Sequence, residues 1–272
     1  MLKRRWVRAC LGVFALFMVL LITDSLIAAR TEHRISQEIY RDSHLANPPG
    51  VTVAAYPYVS AAFTHELQSV TVNAKDIDVP GFGLVSVHSS AQYITVSADD
   101  VFNGDIKDAP ARKVFTRLQL DPVSVGSRMH VSDLLIQNKD DISPNGGWET
   151  EAIFEGTPQG FRKAATVEMQ LRMREGNVHL DAIDVVKGPE DKGKDAKIVD
   201  GDDLDDSVRQ EIMRAFSLDI PGDTLPFRGQ PMRVYVAGGS VYVESERYYT
   251  RVSIEDLAPR SRPLSAEEQP GL

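Results

Sequence analysis

A basic cluster followed by a long apolar run at the N-terminus constrains this chain more than any other feature. In the run, residues 9–29, Asp24 is the only charged residue. A helix of this length reaches about 30 Å, the thickness of the hydrocarbon core of a bilayer. Because basic flanks stay in the cytoplasm, we predict a single-pass cell-membrane helix with a cytoplasmic N-terminus and everything after residue 30 outside. The basic residues are Lys3, Arg4, Arg5 and Arg8.

A cleaved signal peptide is the alternative for this segment. Residues 9–22 would be its apolar core, and Ala28-Ala29 would be the cleavage site. Ile27 is a poor residue for the third-last position before cleavage, and residues 31–45 are typical of a helix that continues the apolar run. We therefore favour an uncleaved anchor, and both alternatives place the rest of the chain outside the cytoplasm.

The charge of the chain is divided unevenly and excludes some partners. The net charge is −9, and because residues 1–30 hold five basic residues against one acidic residue, the remainder is near −13. A domain this acidic does not bind nucleic acid, which requires clustered Lys and Arg. The single cysteine, Cys10, forms no disulfide within the chain, and Arg8 two positions before it disfavours lipidation.

The segment after the apolar run is predicted to be helical up to Asn47-Pro48-Pro49-Gly50, since proline cannot continue a helix. Residues 51–55 are a short strand candidate. Residues 58–67 are predicted to form a helix because apolar residues recur there at helical spacing. Those residues are Val59, Ala62, Phe63 and Leu67.

From residue 69 onward apolar residues alternate with polar ones, which is typical of half-buried strands. A short helix is predicted at 131–137, a polar loop at 187–203, and a helix at 207–217 that Asp205 or Asp206 caps. Strands are predicted at residues 70–75, 84–96, 113–125, 148–155, 165–174, 178–186, 232–236 and 241–249.

These elements predict an α+β fold preceded by one transmembrane helix. We expect a long, curved, mainly antiparallel sheet wrapped around one or two helices. The chain then divides into a cytoplasmic flank and anchor at 1–30, an extracytoplasmic domain at 31–257 and a disordered tail at 258–272.

Motifs for catalysis or metal binding are not found in the sequence. The six histidines lack zinc-ligand spacing, no serine stands in a GxSxG or SxxK motif, and Gly81-Phe82-Gly83 lacks the third glycine of a phosphate loop. We expect no enzyme activity and no cofactor. An aspartate cluster leaves two alternatives, a calcium site or a solvated loop before a helix N-terminus. Its members are Asp200, Asp202, Asp203, Asp205 and Asp206.

Rows of apolar residues on the predicted strands are the candidate binding site. Two short helices are too few to cover so long a sheet, so the rows would line an apolar groove, which flexible methionine side chains suit. Ordinary core packing under a helix is the alternative. The candidate channel residues are Val70, Val72, Val114, Leu118, Leu120, Phe154, Val167, Met169, Leu171, Met173 and Phe216.

A series of short patterns in residues 51–120, together with a later one in residues 225–243, is similar to one known family. An aromatic-proline-aromatic step is followed by a short helix, a V.V.A.D strand, a further strand and an acidic turn, and a hairpin closes the domain. These segments are Tyr56-Pro57-Tyr58, Val70–Asp76, Leu84–Val96, Asp99–Gly104 and Leu225–Val243. The pattern resembles the LmeA-like phospholipid-binding family of actinobacterial envelope proteins over most of residues 24–257. Two departures are the family's usual Phe-Pro-Phe step and its common glycine near Gln68.

The resemblance implies a tubular lipid-binding (TULIP-like) domain with a lipid-sized apolar channel. It implies phospholipid as the ligand and a supporting role in building envelope lipoglycans such as lipomannan. It carries over no catalytic residue. We therefore expect a membrane-anchored protein that binds or shuttles lipid. Two alternatives are an envelope adaptor that docks a membrane glycosyltransferase and a hydrolase with an unfamiliar site.

Overall fold

Two open antiparallel sheets and one long N-terminal helix make up most of the fold, which confirms the α+β prediction. The structure is a computed structural model that describes residues 2–43, 45–139, 149–226 and 228–259, with side chains at all of these except 2–9 and 42. The predicted tail lies outside the described residues from position 260 onward, as does the first residue of the strand predicted at 148–155.

The apolar run and the segment after it form a single uninterrupted helix, α1 (Leu2–Ser43). Among the described residues, α1 is the one helix that is long and apolar enough to cross a membrane. Its large apolar side chains before Asp24 are mostly exposed. In its second half Thr31, Ile35 and Ile39, spaced by four, are buried on one face, as expected of a helix that packs on a domain. The predicted helical continuation through residues 31–45 is thus confirmed to Ser43.

The first sheet has six strands in the order β1-β2-β3-β4-β12-β11, and all neighbours are antiparallel. Its apolar side chains alternate with polar ones as predicted, so one face is buried. The strands are β1 (Gly50–Ala54), β2 (Glu66–Val79), β3 (Gly83–Thr95), β4 (Ala109–Leu120), β11 (Arg233–Ala237) and β12 (Ser240–Val252).

The second sheet is built from the middle of the chain in the order β10-β8-β7-β6-β5, with β9 also pairing with β8. It is antiparallel throughout. The strands are β5 (Leu135–Asn138), β6 (Glu149–Gly156), β7 (Ala165–Arg174), β8 (Asn177–Pro189), β9 (Ile198–Asp200) and β10 (Leu218–Ile220).

The remaining helices are short; one predicted helix is wrong, and another is shorter than predicted. The helix predicted at 131–137 is replaced by strand β5, while the end of the strand predicted at 113–125 is helix α4, which Pro122 begins. The helix predicted at 58–67 ends at Thr64, because His65 takes a left-handed conformation (φ 55°) and β2 follows at once. The helices are α2 (Ala61–Thr64), α3 (Ala98–Asn103), α4 (Pro122–Met129), α5 (Asp206–Phe216) and α6 (Ile254–Leu257), with 3-10 turns at Tyr58–Ser60, Gly201–Asp203 and Gly222–Thr224.

Strand β11 joins the two sheets. It pairs with β12 in the first sheet and also contacts β5, β6 and β7 of the second. Its inward residues Val234 and Val236 are buried, and the apolar residues of both sheets form one continuous core. The predicted sheet is therefore divided in two, but its apolar faces share one interior.

Polar contacts fix α1 against the first sheet. The backbone N–H groups of Tyr58 and Val59 donate to the two carboxylate oxygens of Asp24 at 2.8 Å each. Further along the helix, Glu32 accepts from the N–H of Val53 at 2.8 Å, and the Ser36 hydroxyl donates to the carbonyl of Pro49 at 2.6 Å. The chain from Pro49 to Tyr58 thus runs antiparallel to α1.

A glycine permits the close approach of α3 to the same helix. A Cβ on Gly104 would lie 3.0 Å from Cγ2 of Thr31 and 3.2 Å from Cγ1 of Ile35. The positive φ of Gly104, 69°, also favours glycine at this position. The second half of α1 is thereby packed into the domain.

Replacing Asp24 with alanine should destabilise the domain, because the buried N–H of Tyr58 and the partly buried N–H of Val59 lose their acceptor. We expect a loss of about 1–3 kcal/mol in the free energy of unfolding. The stability of the Asp24→Asn variant should lie between those of the unchanged protein and the Asp24→Ala variant. Denaturant titration of the full chain in detergent measures this. The exposed neighbour substitution Ser25→Ala serves as the control, and equal stabilities of the Asp24→Ala and Ser25→Ala variants would contradict the role of the carboxylate.

Candidate functional site

The candidate channel residues of the first sheet lie on its buried face and are in register across the strands. Val70 on β2 is opposite Ala91 on β3, and Ala91 is opposite Val114 on β4. Leu118 on β4 lies between Val87 on β3 and Val243 on β12. Val72 and Leu120 extend the same face. Apolar rows therefore run across the sheet at right angles to its strands.

The candidate residues of the second sheet form a similar set of rows. Phe154 on β6 is opposite Val167 on β7. Met169 on β7 lies between Ala152 and Ala182, so the long thioether side chain has small neighbours on both sides. Leu171 and Met173 continue the β7 face toward the hairpin that joins β7 to β8. The flexible side chain of Met169 thus fills space that its alanine neighbours leave.

Helix α5 covers this face of the second sheet. It contacts β8 and β7, and its residues Ile212 and Phe216 are fully buried. Gly188 on β8 makes the contact close, since a Cβ there would lie 3.0 Å from Cδ1 of Ile212. Surface ion pairs join the helix to its surroundings, Arg209 with Asp184 and Lys192 with Glu211.

The interior that these residues line is closed in this structure. Met173 is half-buried, and each of the other candidate channel residues is 3% exposed or less, so almost no water-sized space adjoins them. Two surface cavities of about 450 and 480 Å³ are lined by other residues. The first lies beside α1 around Arg34 and Asp105, and the second lies between the β2–β3 turn and β10. The structure thus brings the candidate residues into one core, and it places none of them in these two cavities.

A row of hydroxyl groups crosses the apolar face of the first sheet, and sequence analysis missed it. Ser89, Thr116 and Ser245 are buried and lie opposite one another on β3, β4 and β12. The hydroxyls of Ser89 and Thr116 are 3.3 Å apart. Alternation of residue types shows which way each side chain points but not which residues meet across strands, so this polar row had no signal in the sequence.

The aspartate cluster is a solvent-facing loop before a helix. Among the residues that the structure describes, no group of three or more His, Cys, Asp or Glu side chains is placed to hold a metal ion. Asp202 is almost fully exposed, and Asp205 stands at the N-cap of α5. The second alternative for this cluster, a loop that leads into a helix N-terminus, matches this arrangement.

Charged and aromatic side chains form a network on the outer face of the first sheet. Glu244 is buried there and accepts from Nε of Arg117 at 2.8 Å and from the Tyr235 hydroxyl at 2.7 Å. Burial and the hydrogen bond to Glu244 raise the pKa of Tyr235. Burial also raises the pKa of Glu246, but hydrogen bonds from Tyr248 and Lys113 outweigh it, and the net pKa lies below the usual range. Each group has its partners, which is typical of a structural network rather than of a catalytic pair.

Comparison with known families gives one match. The model of a family described as LmeA-like phospholipid-binding matches residues 22–246 of the 272-residue chain. The match begins just before Asp24 and includes both sheets. No curated protein and no solved structure matches the chain significantly.

Replacing Glu246 with glutamine should destabilise the protein at neutral pH and have little effect in acid. The lowered pKa of Glu246 means that its stabilising contribution is present above the unfolded-state pKa and is lost as pH falls through the folded-state pKa. We expect a loss of about 1–3 kcal/mol at pH 7 that decreases as the pH falls through the folded-state pKa. Urea unfolding at pH 7 and in acid measures it.

The control for this comparison is Glu151→Gln. Glu151 forms a more exposed pair with Lys139, and such pairs contribute about 0–1 kcal/mol. A Glu246→Gln effect that is the same at both pH values would contradict the assignment.

Proposed function

Because the chain belongs to the LmeA-like phospholipid-binding family, we propose that it is a membrane-anchored protein that holds phospholipid acyl chains in the apolar interior shared by its two sheets. The family match over residues 22–246 is the observation that carries this proposal. In this proposal α1 is the anchor, its N-terminus is cytoplasmic, and the domain lies on the outer side of the cell membrane.

The packing of α1 supports an anchor that is not cleaved. Cleavage after Ala29 would remove Asp24, and with it the acceptor of the Tyr58 and Val59 N–H groups. It would also remove Ile27, which packs against the core. A cleaved signal peptide is absent from the mature protein, so its residues cannot stabilise the core of the domain. The helix is therefore proposed to remain part of the folded protein.

Lipid binding requires the interior to open, and α5 is the element we propose to move. The rows of the second sheet are covered by Ile212 and Phe216 of this helix. Burial of a side chain of this size contributes about 1.5–3 kcal/mol, and an acyl chain in its place would keep the same apolar surface of the sheet away from water. The ion pairs that hold α5 lie at the surface and add little. Acyl chains can therefore displace the helix.

The physiological role that we propose is support of envelope lipoglycan assembly, of the lipomannan type, as the family resemblance implies. The acidic surface of the domain is unsuited to nucleic acid. We expect the partners to be phospholipid, the cytoplasmic membrane and a membrane glycosyltransferase. A non-enzymatic role accords with the filled, largely apolar interior, in which no buried side-chain polar atom among the described residues lacks a hydrogen-bond partner.

A phospholipid with a photoreactive acyl chain tests the proposed site directly. The full-length protein would be reconstituted in vesicles that contain the probe, irradiated and digested, and the labelled peptides would be identified by mass spectrometry. We expect label on β6, β7 and α5, because their side chains would surround the acyl chains. Label confined to residues 10–28 of α1 would show contact with bilayer lipid only and would overturn the proposal.

Shortening a side chain in the interior should increase the labelling. Phe216→Ala is expected to destabilise the protein by about 3–5 kcal/mol, because it leaves a cavity, and to raise label on β7 about twofold or more, because an acyl chain can fill that cavity. The matched control is Phe161→Ala, which truncates a buried phenylalanine in the loop between β6 and β7. Equal labelling of the two variants would argue against acyl chains in the space beside α5.

A further inference from the structure

One end of the first sheet lies beside the apolar half of α1. From Pro49 to Tyr58 the chain passes Ser36, then Glu32, then Asp24, so it advances toward the N-terminal half of the helix. The connection between β1 and β2, residues 55–65, therefore lies at the level of Asp24. The N–H of Val96 donates to the carbonyl of His65 at 3.0 Å, which places the β3–β4 connection next to it.

These two connections expose three large aromatic side chains, here called the aromatic rim. Tyr56 is 74% exposed, Phe63 81% and Phe102 45%. They lie just before the Tyr58–Ser60 turn, on α2 and on α3, and these elements contact one another or α1. Single exposed aromatic residues are common on protein surfaces, but three on adjacent elements beside an apolar helix form an unusual surface.

The length of the apolar segment brings this end of the domain to the membrane. Between Arg8 and Asp24 there are about 15 uncharged residues, which span roughly 22 Å as a helix, less than the hydrocarbon thickness of about 30 Å. Because a bilayer thins around an apolar segment that is shorter than its hydrocarbon core, Asp24 then lies at the edge of the hydrocarbon layer. Since Asp24 binds the N–H groups of Tyr58 and Val59, those residues lie at the same depth.

The side chains just before Asp24 agree with this depth. Met18 and Leu21 are half-buried, whereas their neighbours Phe17 and Leu20 are exposed. Leu21 lies one turn before Asp24 on the same side of the helix. The domain therefore extends alongside the part of α1 that is apolar.

We propose that the aromatic rim docks the domain on the bilayer by inserting Tyr56, Phe63 and Phe102 among the lipid headgroups and upper acyl chains around α1. This rests on the proposed function, because it requires α1 to be a membrane anchor. Tyrosine is enriched at this depth of a bilayer, and phenylalanine is typical of apolar faces that enter the boundary between headgroups and acyl chains. The strongly acidic domain is not attracted to anionic headgroups. The aromatic rim is therefore expected to bind the bilayer through its apolar rings and not through charge.

Site-specific fluorescence quenching in reconstituted vesicles tests the proposal. In a Cys10→Ser background of the full-length protein, Phe63→Cys carries an environment-sensitive label, with Tyr56→Cys as a second position. The matched control is Val123→Cys, an exposed position on α4 at the opposite end of β4. Vesicles are of phosphatidylcholine with and without bromine on the acyl chains, and aqueous iodide is the second quencher.

The expected result is quenching by brominated lipid at positions 63 and 56 that is at least about twofold stronger than at 123, and quenching by iodide in the opposite order. Addition of phosphatidylglycerol should leave this pattern unchanged. Equal iodide quenching at positions 63 and 123 would overturn the proposal. A label at 63 that neither quencher reaches would also overturn it, because it would show a protein contact such as a second copy of the chain.

Two further measurements separate this proposal from the proposed function. Retention of the chain in vesicles after alkaline washing reports on the anchor, and the photoreactive lipid reports on the interior. If both are positive while position 63 remains aqueous, the docking surface alone is disproved. If the chain washes out of the vesicles, the anchor itself is disproved.

Discussion

The carboxylate of Asp24 is the contact on which the arrangement of α1 and the domain depends. A single acidic residue in an apolar helix is costly at the centre of a bilayer. Here it is buried in protein and bound by two backbone N–H groups at 2.8 Å. These contacts join the apolar half of α1 to the first turn of the domain, and Ile35 and Ile39 then extend the attachment into the core. The helix that we propose as the anchor is thus also a structural element of the domain.

The apolar interior does not depend on Asp24 but on strand β11, which contacts both sheets. β11 belongs to the first sheet by hydrogen bonding and to the second by packing. Its side chains Val234 and Val236 make the two apolar faces continuous. An interior of this kind is bounded by separate sheets rather than by a closed barrel, so one covering element, such as α5, can move without breaking a ladder of strand hydrogen bonds. This property suits a protein that receives flexible acyl chains.

Local patterns predicted much of this fold. Alternation placed most strands and assigned the facing direction of Val70, Leu118 and Met169, since period two is a property of the strand itself. The continuation of α1 to Ser43 followed from the absence of proline before residue 48. The features that the local pattern could not predict depend on which strands pair with one another. β5 is a four-residue edge strand that depends on its partner β6. The division into two sheets and the hydroxyl row likewise arise from contacts between distant strands.

Phe63 shows how the same limit applies to the candidate membrane surface. Its spacing with Val59, Ala62 and Leu67 predicted a buried helix face, yet the left-handed conformation of His65 ends the helix first and leaves Phe63 exposed. Exposure of an aromatic residue is therefore not evident from hydrophobic periodicity when a short helix is interrupted. Only the fold shows that Phe63 lies on the same connection as Tyr58 and Val59, whose N–H groups bind Asp24.

If α1 is the anchor that we propose, its unbroken course into the domain limits how far the domain can move. Because α1 has no break between its apolar half and the half that packs on the domain, the domain could not swing away from the membrane, and its orientation would follow the tilt of the helix. The longest described strand has 14 residues, so at about 3.3 Å per residue the first sheet would reach only a few tens of ångströms above the lipid surface. Any lipid it handles is exchanged with neighbours in the same leaflet or with a partner that comes to it.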